Sequence, residues 1–270
     1  MIWLRGDFKK IWGDGDPFVR VKNIKGKIYR QMSDRRTLQF QEGDESYFLK
    51  FHMGVGWLEI IKNLVLLRLP VLSARNEYDA IRRCERLGVQ TMAPVAFGVR
   101  GRNPARRQSF IVTEDLVHTI SLEDLCRDWP RDPPPYWLKT ALINQVADIS
   151  RRLHDNGINH RDYYICHFLL KIPNGVAALT PRELRLYLID LHRAQLRVET
   201  PRRWIIKDLA ALYFSVLNIG LSERDLLRFV RRYTGLPLKQ AMVEHEWLWR
   251  PLIKKAAKLR RRQIRYRGLL

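Results

Sequence analysis

The sequence predicts an α+β protein of two lobes, a small antiparallel sheet with a helix or two followed by a larger helical half. Three observations carry that prediction. Residues 27–52 hold short runs rich in aromatic and β-branched residues around the turn Glu42-Gly43-Asp44-Glu45, the pattern of a meander. Beyond residue 137, apolar positions recur at helical spacing over 137–154, 207–217 and 223–233. The chain has 270 residues and is 46% hydrophobic, enough to bury a substantial core in one large domain or two lobes.

In chain order, roughly the first 50 residues read as β, with strands at 27–32, 37–40 and 47–52. Residues 57–69 form a helix with a broad apolar face, ended by Pro70. We read it as a helix packed on the core; an interfacial helix on a membrane or lipid tail is the alternative. A second helix spans 74–87, with Ser73 as N-cap and Gly88 as stop. Strands follow at 95–99 and 110–112, separated by a basic loop at 103–108, and a hinge is expected near 113–116. This divides the chain into an N-lobe, 1–113, and a C-lobe, 114–270. Ser121 caps a short helix, prolines break the chain at 130–135, and a long helix runs over 137–154 to the stop at Gly157.

Charge is the unusual feature. Forty-nine Lys and Arg face 28 Asp and Glu, a formal net charge of +21. Such a field attracts anions, whether nucleic acid, membrane surface, phosphorylated substrate or acidic protein. Residues 254–267 carry eight Lys and Arg and no acid. Cys84, Cys126 and Cys166 show no CxxC spacing, which fits a reducing cytosol and argues against a disulfide framework or zinc site. The start has no secretory-signal pattern, and no apolar run approaches the ~20 residues that span a bilayer.

Four signals carry chemistry. Ile158-Asn159-His160-Arg161-Asp162 follows the long helix and resembles the protein-kinase catalytic loop, in which the aspartate accepts the proton of an attacking hydroxyl. An apolar strand ending Ile189-Asp190-Leu191-His192 resembles the metal-binding acid of kinases; alone, it reads better as a surface acid ending a strand, and its pairing with Asp162 favours the metal site. Lys50, the only charge in an apolar strand, resembles the phosphate-positioning lysine, with Glu77 as ion partner and Glu85 as rival; an edge lysine facing solvent is the alternative. Asp208 stands where kinase-like folds brace the catalytic loop, or is a helix-terminal charge. His160 supports the same loop. No glycine-rich loop is present, and Arg35 in Asp34-Arg35-Arg36-Thr37 is a candidate phosphate grip. His167 occupies the place of the second metal-binding residue, yet imidazole is a poor Mg²⁺ ligand.

The stretches 35–40, 47–50, 59–64, 69–72, 109–116, 119–124, 157–170, 189–195, 201–204 and 207–209 together resemble the lipopolysaccharide core heptose I kinase family. The resemblance covers nearly the whole chain and implies a protein-kinase-like fold. It implies transfer of the ATP γ-phosphoryl group to the 4-hydroxyl of the first inner-core heptose, at the cytoplasmic face of a Gram-negative inner membrane. It assigns Asp162 as base, Asp190 to Mg²⁺, and Lys50 with Glu77 to the phosphates, with Glu114 and Leu116 meeting adenine through their backbones. Arg106, Arg107, Arg193, Arg202 and Arg203 are acceptor-side candidates. The acceptor is lipid-anchored and anionic, so an anionic leaflet and an acidic carrier protein are expected partners. Two alternatives stand: a kinase acting on another core sugar such as Kdo, and a non-catalytic nucleic-acid-binding protein. The second leaves the spacing of Lys50, Glu77, Asp162 and Asp190 without a reason, and no specific nucleic acid is expected.

Overall fold

The computed structural model describes residues 1–32, 34–65 and 73–267. It divides into two compact units: residues 1–83, 91–117 and 191–193, and residues 84–90, 118–190 and 194–270.

The first unit is built on a six-stranded sheet. Its strands are β1 (Ile2–Leu4), β2 (Lys27–Gln31), β3 (Arg35–Glu42), β4 (Glu45–His52), β5 (Pro94–Arg100) and β6 (Gln108–Glu114). The order is β1-β5-β6-β4-β3-β2, and every neighbouring pair is antiparallel. β4 alternates as its sequence requires: Tyr47, Leu49 and Phe51 are buried together, and Ser46, Phe48 and Lys50 point to the other face.

The reading of the first 50 residues as β is corrected here. Two short helices, α1 (Gly6–Trp12) and α2 (Pro17–Asn23), occupy that stretch. The local reason is visible in the sequence: Asp16 caps α2 by accepting from the Phe18 N–H at 2.8 Å, and Pro17 takes the first helical position. Phe8, Trp12, Phe18 and Val21 then cover the inward face of the sheet against Leu38, Leu49 and Phe110. Each such aromatic stabilises by about 2–3 kcal/mol.

Helix α3 (Gly56–Val65) corrects a second expectation. Ile60 is buried, but Trp57, Leu58, Ile61 and Val65 are exposed, Leu58 at 87%, so the helix does not pack on the core with its whole apolar face. The expected continuation to residue 69 and the stop at Pro70 lie outside the described residues, as does Ser33. Helix α4 (Arg75–Arg86) starts where expected, the Ser73 hydroxyl accepting from the Arg75 N–H.

The second unit is mainly helical. It holds α5 (Leu122–Leu125), α6 (Tyr136–Asp155), α7 (Arg202–Ser215), α8 (Glu223–Thr234), α9 (Leu238–Glu244) and α10 (Glu246–Arg267). α6 buries Leu138, Leu142, Val146, Leu153 and His154 along one stripe. Two small ladders position the loops. β7 (Thr119–Ser121), β9 (Phe168–Lys171) and β10 (Leu186–Leu188) form a sheet in the order β10-β9-β7, and β8 (Ile158–Asn159) pairs with β11 (Gln195–Leu196). Gly157, at φ 75°, immediately precedes β8; a Cβ there would sit 2.0 Å from the Arg197 carbonyl oxygen, so only glycine permits the approach.

Candidate active site

Lys50 lies on a central strand of the first unit, opposite Thr37 on β3 and Ile111 on β6. It is not an edge lysine. Its ammonium donates to Glu77 Oε1 of α4 at 2.6 Å, with side-chain exposures of 25% and 2%. The rival Glu85 is exposed. With the Glu77 carboxylate that buried, the pair is a fixed bracket rather than a surface ion pair. Arg35 begins β3 opposite His52. Burial first, and then the charges of Arg35, Lys50 and His192, lower the His52 pKa to about 4.

Glu114 ends β6, its N–H donating to Ala93 O at 2.9 Å and its carboxylate accepting from Arg5 at 2.5 Å. Asp115 follows, tied to Gln39 and Ser46, and Leu116 is half-buried. Arg193 closes the short turn Leu191–Arg193, where the His192 carbonyl accepts from Asn76 of α4 at 2.9 Å. Arg106 is exposed and Arg107 half-buried.

In the second unit, Asp208 is 1% exposed in α7, not solvated at a helix end. Its carboxylate accepts from the His160 and Arg161 backbone N–H groups at 2.6 and 2.9 Å. It thereby clamps the backbone immediately before Asp162. His160 Nε2 meets the Ile189 carbonyl at 2.9 Å, so that nitrogen carries the proton. Complete burial lowers the His160 pKa, with Asp208 partly opposing. Behind Asp208, His154 of α6 stands 3.6 Å away and bonds Tyr233 at 2.9 Å.

The β9–β10 register brings the second carboxylate to the loop. Phe168 pairs with Leu188, and the Ile189 N–H donates to the His167 carbonyl at 2.9 Å. His167 Nδ1 donates to the Asp162 carbonyl at 2.6 Å, and its Nε2 stands 3.6 Å from Asp190 Oδ2. Arg161 and Asp190 both have positive φ, 74° and 64°, a strained backbone that non-glycine residues hold where the surroundings fix it. The structure thus brings His160, Asp162, His167, Asp190 and Asp208 together on one loop system.

Arg202 and Arg203 are exposed in the first turn of α7. Arg202 lies over Trp247 at 4.8 Å and Arg203 over Trp204 at 5.7 Å. The sequence reading missed two features of this unit. Arg161, Arg197 and Lys207 join Arg203 around Trp204; the i, i+4 spacing of Arg203 and Lys207 was the available signal. A cavity of about 380 Å³, lined by apolar side chains including Leu142, Val146, Leu209, Leu212 and Leu252, is assembled from several helices and has no local signature.

The fold is protein-kinase-like, and it carries a sheet-borne lysine–glutamate bracket, a His-Arg-Asp loop clamped by a buried aspartate, and a second acid at the end of β10. Comparison gives the family. The model of the lipopolysaccharide kinase (Kdo/WaaP) family matches residues 19–233. The chain is 50% identical over 265 residues to the lipopolysaccharide core heptose(I) kinase WaaP of Escherichia coli, spanning 98% of this chain and 99% of the relative. It is likewise 50% identical over 267 residues to WaaP of Pseudomonas aeruginosa, 99% and 98% of the two chains. A solved structure of WaaP in complex with acyl carrier protein superposes with a TM-score of 0.83 at 44% identity, covering 96% of this chain and 99% of that one. The chain belongs to the lipopolysaccharide kinase (Kdo/WaaP) family, and as a kinase it uses ATP.

Proposed function

We propose that the protein transfers the ATP γ-phosphoryl group to the 4-hydroxyl of the first heptose of the lipopolysaccharide inner core. The observation that carries this reading is the clamped loop: Asp208 fixes the backbone before Asp162, and identity to heptose(I) kinases spans the whole chain. Asp162 orients the acceptor hydroxyl and takes its proton. Lys50, held by Glu77, steadies the nucleotide phosphates, with Arg35 beside it on the sheet; the backbones of Glu114 and Leu116 meet the adenine. Such chemistry needs positioning and charge neutralisation more than covalent catalysis.

Asp190 fits Mg²⁺, a hard cation satisfied by one or two carboxylates together with phosphate and water oxygens. His167 fits a different task. Its Nδ1 donates to the Asp162 carbonyl, which suits holding that backbone in place, and its Nε2 stands 3.6 Å from Asp190 Oδ2. When bound, the metal neutralises charge on the transferred group. Phosphorylation of a core oligosaccharide lacking the heptose phosphate, with the new ester located by NMR, tests the assignment. An ester on heptose I O4 is expected; an ester on Kdo overturns it.

An acidic carrier protein is the proposed protein partner. A relative has been solved with acyl carrier protein, this chain has a formal net charge of +21, and Lys258, Arg261, Arg262 and Arg265 line one exposed face of α10. The apolar cavity has the chemistry and size for an acyl chain delivered by such a carrier. No helix among the described residues is long and apolar enough to cross a membrane. Peripheral attachment to an anionic cytoplasmic leaflet is proposed instead, through the basic tail and the exposed apolar residues of α3.

A further inference from the structure

The first two turns of α7 hold two cations, Arg203 and Lys207, that form no ion pair among the described residues. Arg203 and Lys207 lie on one side of the helix, both against the Trp204 indole, with Arg203 Cζ at 5.7 Å and Lys207 Nζ at 3.9 Å from the ring centroid. Arg161, from the catalytic loop, and Arg197, just past β11, reach the same ring at 5.4 and 5.7 Å. Lys255 of α10 adds its field: burial, then Lys255, Arg161 and Arg203, lower the Lys207 pKa. Arg197 is lowered by burial and by Arg203.

Among the described residues, Arg197, Arg203 and Lys207 form no ion pair. The hydrogen bonds of the Arg197 guanidinium among the described residues go to neutral amide oxygens, Asn159 Oδ1 at 2.5 Å and Gln195 Oε1 at 2.7 Å. Asp208, the acid whose charge acts on Lys207, already has each oxygen accepting a backbone N–H. The Trp204 Nε1 atom is buried without an acceptor among the described residues. Cation–π contacts contribute about 0.5–2 kcal/mol each and leave the positive charges of Arg197, Arg203 and Lys207 uncancelled. The fold nevertheless holds them there. The β8–β11 ladder delivers Arg197, an approach possible only at Gly157, and Arg161 is kept at positive φ.

We propose that this cluster is an oxyanion subsite for the acceptor, taking a carboxylate or phosphate group carried by the glycan near the hydroxyl to be phosphorylated. The use of the site rests on the kinase reading above; its affinity for an oxyanion does not. Planar guanidinium groups bind such oxyanions through paired N–H donors, and the arriving negative charge turns repulsion among the cations into attraction. Arg161, which reaches the same ring, is covalently next to Asp162, so an anion held by Arg197, Arg203 and Lys207 lies beside the loop that carries the proposed base.

Two measurements test this. In the first, the unfolding midpoint of the full chain is followed in millimolar inorganic phosphate against chloride of equal ionic strength. The parent is expected to gain several degrees, and Lys207→Gln and Arg203→Gln to lose most of that gain while unfolding no earlier than the parent without phosphate. Equal midpoints for the parent in both salts overturn the site itself, whatever the enzyme phosphorylates. In the second, KM is compared for intact acceptor oligosaccharide, acceptor with its carboxylates reduced to alcohols, and acceptor stripped of its other phosphates. The parent is expected to lose about tenfold with one of the two altered acceptors, which identifies the anion. Lys207→Gln shows that loss already with intact acceptor and no further loss on alteration, at an unmoved KM for ATP. A change in the KM for ATP instead, or indifference to both alterations, overturns the acceptor assignment.

Discussion

Two cationic centres, one in each unit, are built on opposite terms. Lys50 sits on a central strand against a carboxylate that is 2% exposed, so its charge is answered inside the protein. Around Trp204, Arg197, Arg203 and Lys207 form no ion pair among the described residues, and the acid at hand, Asp208, is engaged by backbone amides. The first arrangement fixes a cation in one position before any ligand arrives. The second stores electrostatic repulsion that an incoming anion relieves. Removing a cation should therefore have opposite effects on stability at the two places.

The largest effect is expected at the paired centre. Lys50→Met strands the Glu77 carboxylate in the core, which costs about 3–5 kcal/mol in urea unfolding, and phosphoryl transfer should fall about a hundredfold. A stability equal to the parent's would mean that Glu77 has another counter-charge. Next in size is Asp208→Ala, which leaves two buried N–H groups without their acceptor at about 1–3 kcal/mol each. It should lower kcat more than the KM for ATP, because the loop carrying Asp162 loses its clamp; a loss confined to the KM for ATP would break that account.

A pH titration sharpens the comparison further. The folded protein keeps His52 neutral down to about pH 4, whereas an unfolded histidine takes up a proton near 6.5. Between those values the unfolded state binds more protons, so stability falls as pH drops from about 6.5 to about 4, by up to about 3 kcal/mol. Buried His160 adds a contribution of the same sign. Above pH 7 neither contributes a slope. His52→Gln should flatten this acid limb, and an unchanged limb would assign it elsewhere. The smallest effect is the inverse one: Lys207→Gln is expected to raise the unfolding midpoint of the anion-free protein by about 1 °C, and a clear drop would mean that Lys207 is a structural support.

Much of this was readable in the sequence because it is local. Alternation in β4, the Ser73 and Ser121 caps, and the stop at Gly157 are each fixed by a few neighbouring residues, and the structure has them where expected. The His-Arg-Asp loop, the acid after β10 and the lysine of β4 were found by residue type and order. What escaped depends on partners far away in the chain. α1 and α2 were hidden within a β-rich stretch whose Asp16-Pro17 start signal was passed over. The exposure of α3 is a tertiary outcome: its apolar face predicts burial, and only the packing around it decides that Ile60 alone among Trp57, Leu58, Ile60 and Ile61 is covered. The Trp204 cluster joins residues 161, 197, 203 and 207, brought together by the β8–β11 ladder and the Asp208 clamp.

The most direct measurement is single-turnover transfer of labelled γ-phosphate from ATP to dephosphorylated inner-core oligosaccharide, comparing the parent with Asp162→Asn. The substitution keeps size and shape and removes the proton acceptor, so transfer should slow about a hundred- to ten-thousandfold with the unfolding midpoint little changed. Equal rates for the two proteins would contradict the assignment of Asp162 as the base.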